Sequence, residues 1–100
     1  MLKVGFYLRE LNFRGIANSI FIYAKNNQTI LKNKSIIFYN STALDNKTEA
    51  IKEFKKKFKT IKIFSFSELE KINKILKLDF IYFQRDGAKD EIVNNSKNII

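Results

Sequence analysis

Residues 2–39 read LKVGFYLRELNFRGIANSIFIYAKNNQTILKNKSIIFY, and the main signal for the fold lies in this stretch. Leu2 to Leu8 is an apolar run without helical period, of the length of a buried strand. After a polar segment, apolar residues recur at helical spacing from Ile16 to about Leu31, with only Gln28 out of pattern. Ser35 to Tyr39 is a second run, rich in β-forming residues. The stretch therefore predicts a strand, a helix and a second strand.

The remaining sequence continues this alternation. A loop at Asn40–Asn46 precedes a helix from about Lys47 to Phe58, and Ile61 to Phe66 is predicted as a third strand despite the charge of Lys62. Ser67 to Glu70 forms a capping-box pattern that opens a third helix. Asp79 to Phe83 is predicted as a fourth strand.

Strands and helices that alternate at this spacing indicate an α/β fold, with a parallel sheet and right-handed crossovers. We predict a Rossmann-like, three-layer α/β/α arrangement with strand order 3-2-1-4, formed by residues 1–100 as a single domain. Asn98 to Ile100 resembles the opening of a fifth strand. Because a half-sheet with an exposed edge normally continues, we expect the fold to extend beyond this point.

Composition excludes several classes of site. The chain has no cysteine, which rules out disulfides and thiolate metal sites, and no histidine, the commonest general base and metal ligand. Asp86, Asp90 and Glu91 do not match a calcium-binding loop. We therefore expect no metal and no cofactor. The longest apolar runs fall far short of the roughly 20 residues that span a bilayer, and the first residues do not resemble a signal peptide, so we interpret the chain as cytoplasmic.

The net charge of +9 raises the question of a polyanionic partner. Of 19 basic residues only Arg9, Arg14 and Arg85 are arginine, whereas proteins that recognise bases and phosphates usually rely on arginine. The abundance of Lys, Asn and Ile is also what an AT-rich genome produces. We predict no specific nucleic-acid partner, and at most a weak attraction to anionic membrane surfaces at the inner face of the membrane.

Ligands of open parallel sheets bind outside the carboxyl ends of the strands, where the strand order reverses. In the predicted order this crevice lies between the first and fourth strands, which points to the loops Arg9–Asn18 and Gln84–Glu91. Arg14 and Gly15 open the first helix, where free amides and a bare glycine suit a phosphate. The alternative is that Gly15 only makes the turn and that Arg14 is solvated.

Other candidates on these loops suit an acceptor molecule. Asn18 and Ser19, in the first turn of the helix, can hydrogen-bond a sugar or phosphate. In the second loop Arg85, Asp86 and Asp90 can hold acceptor hydroxyls, although an Asp-Gly pair is also an ordinary turn signal. No catalytic residue can be singled out. A single glycine is neither a dinucleotide fingerprint nor a P-loop.

With these features placed, the chain resembles the amino-terminal domain of GT-B-type glycosyltransferases. The resemblance is to a bacterial and viral group whose proteins open with a strand, an LRG or IRG turn and a helix. The stretches that carry it are Val4 to Leu8, Phe13 to Gly15, Ile20 to Asn27 and Ile30 to Ile37, with Tyr82, Phe83, Gly87 and Asp90 toward the far loop.

This resemblance implies two Rossmann-like domains that face a cleft. The amino-terminal domain shapes the acceptor site, the carboxy-terminal domain holds most of a nucleotide-diphosphate-sugar donor, and the glycine turn, here Arg14 and Gly15, approaches the donor phosphates. Many members have Thr-Glu-Val after the glycine, whereas this chain has Ile16-Ala17-Asn18 and lacks the acidic residue. The donor domain is missing from this sequence. We therefore expect a fragment that transfers no sugar on its own.

Two other functions are consistent with the sequence. A stand-alone α/β binding module would engage a protein or an anionic surface through its lysines. A response-regulator version is disfavoured, because only Glu10 follows the first strand where paired acidic residues are needed. A nucleic-acid binder rests on charge alone and would show steeply salt-dependent binding.

Overall fold

A computed structural model describes residues 1–64 and 66–83, and shows one parallel sheet with helices on both faces. The strands are β1 (Lys3–Leu8), β2 (Lys34–Asn40), β3 (Lys59–Ile63) and β4 (Phe80–Phe83), and the helices are α1 (Gly15–Thr29), α2 (Thr48–Lys57) and α3 (Phe66–Leu76). The strand predicted from Asn98 lies outside the described residues. No helix in the described ranges combines the length and apolar character needed to cross a bilayer.

The sheet has the order β3-β2-β1-β4, and all of its pairings are parallel. This confirms the predicted α/β class and strand order. In register, Leu8 lies beside Tyr39, and Asn40 lies beside Ile63, so β1, β2 and β3 end almost level with one another. The loops that follow these strands therefore emerge at one edge, which we call the carboxyl edge.

Alternation along the strands divides the core between the two faces. The first face is covered by α1 and α2, and the residues buried there include Phe6, Leu8, Ile37 and Tyr39. On this face Phe21 of α1 makes edge-to-face ring contacts with Phe54 and Phe58, at centroid distances of 5.1 and 5.3 Å. The second face carries α3, over Tyr7, Ile36, Phe38, Ile63 and Ile81. The three layers follow directly from this division.

A buried polar contact joins α1 to the start of β2. The Ser35 hydroxyl donates to the carbonyl oxygen of Ala24 at 2.8 Å and accepts from Nδ2 of Asn27 at 2.9 Å. Asn33 Nδ2 donates in turn to Oδ1 of Asn27 at 3.1 Å. Because these buried groups satisfy one another, the contact fixes the helix on the sheet without leaving an unpaired polar atom in this cluster.

Two local predictions were wrong by a few residues. β3 is Lys59–Ile63, whereas Ile61 to Phe66 was predicted, because β3 lies at the edge of the sheet and tolerates exposed lysines there. The third helix begins at Phe66, so Ser67 lies inside it instead of before it. The carboxylate that reaches back is that of Glu68, which accepts the backbone N–H of Phe64 at 2.8 Å, in place of the predicted Glu70.

Gly5, in β1, lies so close to neighbouring side chains that a larger residue would not fit at this position. A Cβ atom there would lie 2.9 Å from Cε2 of Phe38 and 3.1 Å from Cδ1 of Leu78. The Phe38 ring is fully buried and cannot swing away. The absence of a side chain at Gly5 therefore lets this ring pack over β1.

We expect Gly5→Ala to lower the free energy of unfolding by about 1–3 kcal/mol, the usual cost of overpacking a core. The measurement is a denaturant titration of both proteins. Gly15→Ala is the matched control, because a Cβ atom at Gly15 would meet nothing within 4 Å. Equal stability of the Gly5→Ala variant and the unsubstituted chain would contradict the close approach.

Candidate functional site

The candidate site lies at the carboxyl edge, where α1 begins. Two loops meet there: the first loop, residues 9–14, follows β1, and the second loop, residues 41–47, follows β2. Since β1 and β2 are neighbours in the sheet, these loops are adjacent.

Backbone and amide groups tie the two loops together. The N–H of Leu11 donates to Oδ1 of Asn46 at 2.8 Å, and the carbonyl oxygen of Leu11 accepts the N–H of Lys47 at 2.9 Å. Nδ2 of Asn46 donates to the carbonyl oxygen of Asn40 at 2.8 Å, which anchors the second loop to the end of β2. The Leu11 side chain is fully buried beneath these bonds. Such closure keeps both loops in fixed positions.

Asn12 shapes the turn into α1. Its Oδ1 accepts the N–H of Arg14 at 2.9 Å, which is an Asx-turn. Its Nδ2 lies 3.4 Å from both Oε2 of Glu10 and the carbonyl oxygen of Asp45. The residue is buried, so its amide serves the protein and is not available to a ligand.

Arg14 precedes the first turn of α1 and points outward. Its side chain is 72% exposed, and Nη1 lies 3.5 Å from Oδ2 of Asp45. Asn12 Oδ1 accepts the N–H of Arg14, but the Arg14 side chain itself makes no capping hydrogen bond. The first turn of α1 contains no acidic residue, whereas α2 and α3 have Glu49 and Glu68 there. No acidic side chain of the first turn therefore offsets the partial positive charge of the α1 N-terminus, although the Asp45 carboxylate lies against Arg14.

Gly15, the first residue of α1, is exposed, and its φ lies outside the left-handed region. A Cβ atom would have open space around it. Neither backbone conformation nor packing requires glycine at this position. What glycine provides is unobstructed access to the first amides of the helix, the property that a bound phosphate uses.

The other predicted residues divide into two groups. Asn18 lies in the first turn, but its Nδ2 donates to the carbonyl oxygen of Phe13 at 2.9 Å, so the side chain closes the turn. Ser19 is half-buried and starts the second turn, one residue beyond the position expected. Arg85, Asp86 and Asp90 lie outside the described residues. The structure therefore places Arg14, Gly15 and Asn18 together and describes only the β1 side of the crevice.

Sequence reasoning missed the residues that build the loops. Asn12, Asp45 and Asn46 were assigned only to loops, although the spacing from Asn12 to Arg14 is a recognised Asx-turn pattern. Each of these side chains also has one partner on the other loop, Asp45 for Asn12, Arg14 for Asp45 and Leu11 for Asn46. The sequence gives no signal for these contacts between the loops.

A buried phenol and an ion pair lie near the ends of β2 and β1. Burial raises the pKa of the Tyr39 phenol above its ordinary value, so this group stays protonated at neutral pH. Glu10 pairs with Arg9, Oε1 to Nη2 at 2.9 Å. Within 1–64 and 66–83 no three carboxylates converge as a metal site would require. The arrangement suits the binding of an anion at α1.

Comparisons with known proteins give no identification. No known protein family, no curated protein and no solved structure matches the chain at a significant level. The resemblance to glycosyltransferases therefore stays a prediction from the residues quoted above.

We expect Asn46→Ala to lower the free energy of unfolding by about 1–3 kcal/mol, because one substitution removes two hydrogen bonds and leaves the Leu11 amide without its acceptor. Hydrogen exchange at the Leu11 amide should accelerate in the variant. Asn26→Ala, at an exposed position of α1, is the control. It should change the free energy of unfolding by no more than about 0.5 kcal/mol and leave exchange at the Leu11 amide unchanged. Unchanged exchange at Leu11 would show that Asn46 does not hold the loops.

Proposed function

We propose that the chain is the amino-terminal, acceptor-side half of a GT-B-type glycosyltransferase. In this proposal its α1 N-terminus contributes to holding the diphosphate of a nucleotide-sugar donor. The observation that carries the proposal is Gly15, a glycine that the fold does not require, at a helix end on the carboxyl edge with no acidic residue in its first turn. The sheet order supports it, because β1 lies at the point where the order reverses, where ligands of such sheets bind.

The proposed contacts combine two elements. Backbone amides of the first turn would donate to one phosphate, at the positive end of the helix dipole. The Arg14 guanidinium, now 3.5 Å from Asp45, would turn to a second phosphate oxygen, since a single exposed ion pair of this length contributes little stability. In this proposal Arg14 and the amides of the first turn bind and orient the donor.

Transfer would need further residues. The predicted acceptor-side residues Arg85, Asp86 and Asp90 follow β4, the other border of the crevice, and lie outside the described residues. The resemblance assigns most donor contacts to a carboxy-terminal domain. We accordingly expect donor binding by this chain to be weak and unaccompanied by sugar transfer.

Titration of the full chain with uridine and guanosine diphosphate, followed through backbone amide NMR shifts, tests the proposal. We expect the largest shifts at residues 15–18, and a loss of affinity of about three- to ten-fold in Arg14→Ala, since exposure weakens a charged contact. Lys25→Ala removes the same charge from an exposed position of α1 and should leave the affinity unchanged. Shifts confined to other regions would exclude this helix end.

Gly15→Ala separates binding from folding. Alanine has the higher helix propensity, so we expect the stability to stay equal or to rise by up to about 1 kcal/mol. The added Cβ atom stands where a phosphate would approach, so diphosphate affinity should fall, and fall further in Gly15→Val. A Gly15→Val variant that binds as tightly as the unsubstituted chain would remove Gly15 from the site.

A stand-alone binding module is the second candidate, favoured by the exposed lysines of α2. Lys52, Lys55, Lys56 and Lys57 are all exposed, and within the described residues Lys56 alone among them forms an ion pair, with Glu53 at 3.1 Å. Absence of any diphosphate-induced shift, together with salt-sensitive binding of a polyanion such as heparin, would favour this function over the first.

A further inference from the structure

The loops after β1, β2 and β3 each carry a large apolar side chain that is more than half exposed. Leu44 is 99% exposed, Phe64 is 59% exposed and Phe13 is 55% exposed. Phe13 follows β1, Leu44 follows β2 and Phe64 follows β3, so each loop contributes one. Because β2 lies between β1 and β3, the three stand in a row along the edge. We call Phe13, Leu44 and Phe64 the apolar tips.

Each apolar tip has a basic residue close to it in sequence. Arg14 follows Phe13, Lys47 lies in the same loop as Leu44, and Lys62 precedes Phe64 by two residues. All three basic side chains are exposed. Within the described part of the chain, neither Lys47 nor Lys62 forms an ion pair.

Three acidic groups of this edge are engaged, whereas Glu49, in the first turn of α2, is exposed and lies two residues from Lys47. Glu10 pairs with Arg9, Asp45 lies 3.5 Å from Arg14, and the Glu68 carboxylate accepts the N–H of Phe64. Lys47 and Lys62 themselves form no ion pair with any of the described residues. The whole chain carries +9, which adds a long-range attraction to any anionic surface.

The tips are held by an ordered frame. The second loop is fixed to Leu11 through Asn46 and Lys47, and Ser41 donates its N–H to the carbonyl oxygen of Ile63 at 2.9 Å. Leu44 is thus held between the ends of β2 and β3. An apolar side chain on an ordered loop binds a partner surface with a smaller loss of conformational entropy than one on a mobile loop.

From these observations the geometry points to docking of the carboxyl edge on an anionic lipid bilayer. Apolar groups in a row, each with a nearby cation, are the arrangement by which peripheral proteins enter the headgroup region. A protein partner is less well matched, because the centre of a protein interface is one apolar patch depleted of charge, whereas here the tips come one to a loop with cations beside them. With the proposed function, on which this last step rests, the acceptor would be presented at the membrane surface.

Co-sedimentation of the full chain with vesicles tests this docking, using phosphatidylcholine with and without phosphatidylglycerol. We expect binding to the anionic vesicles only, weakened about ten-fold by Leu44→Ser through lost apolar burial. Ile30→Ser is the matched control: Ile30 is 69% exposed, but it ends α1 at the opposite edge of the sheet. This control should bind as the unsubstituted chain does.

The charge contribution is tested in the same assay. Lys47→Glu should weaken binding about ten-fold, while Lys25→Glu, the same change on exposed α1, should have a much smaller effect. Equal losses in both lysine variants, with Leu44→Ser unchanged, would indicate diffuse attraction and overturn the proposal. So would absence of vesicle binding, which would leave the tips to a protein partner.

Titration with a nucleoside diphosphate in the absence of vesicles distinguishes failure of the donor-site proposal from failure of the membrane-docking proposal. Vesicle binding that depends on Leu44, with no diphosphate shift at residues 15–18, would remove the donor site and leave the docking edge in place. The reverse pattern would remove only the docking edge.

Discussion

Parallel pairing of β1 with β2 on one side and β4 on the other is the constraint on which the rest of the structure depends. It requires a crossover between consecutive strands, and it sends the loops after β1, β2 and β3 to one edge. The close packing of Phe38 over Gly5 lies in this central strand. The turn at Arg14 and Gly15 and the apolar tips share one edge because the strands point the same way.

Most of the fold could be predicted from the sequence. The apolar runs at β1 and β2 lack helical period because both strands are buried on both faces. The helical spacing in α1 reflects a buried stripe that contains Ala17, Ile20 and Ala24, although Ile16 is exposed. The predicted boundaries were wrong for β3, which lies at an edge of the sheet. There Lys59 belongs to the strand, while the apolar Phe64 lies outside it and is 59% exposed. Hydrophobicity alone cannot distinguish a core residue from an exposed one.

The site was predictable only in part. Arg14 and Gly15 could be located because a glycine before a helix has a local signature. The hydrogen bonds that join Leu11 to Asn46 and Lys47 link residues distant in sequence, and only the adjacency of β1 and β2 brings them together. Asn18 lies in the first turn of α1, as predicted, but its side-chain amide donates to the carbonyl oxygen of Phe13. Local sequence supplies positions, whereas tertiary contacts decide which groups remain available.

The buried cluster of Ser35, Asn27 and Ala24 has a consequence at the far end of α1. An apolar helix–sheet contact is non-directional, so it would let the helix slip or roll by a fraction of a turn at little cost. The directional hydrogen bonds of Ser35 with Ala24 and Asn27 prevent both motions. The height and azimuth of Gly15 above the sheet are thereby set from the opposite end of the same helix.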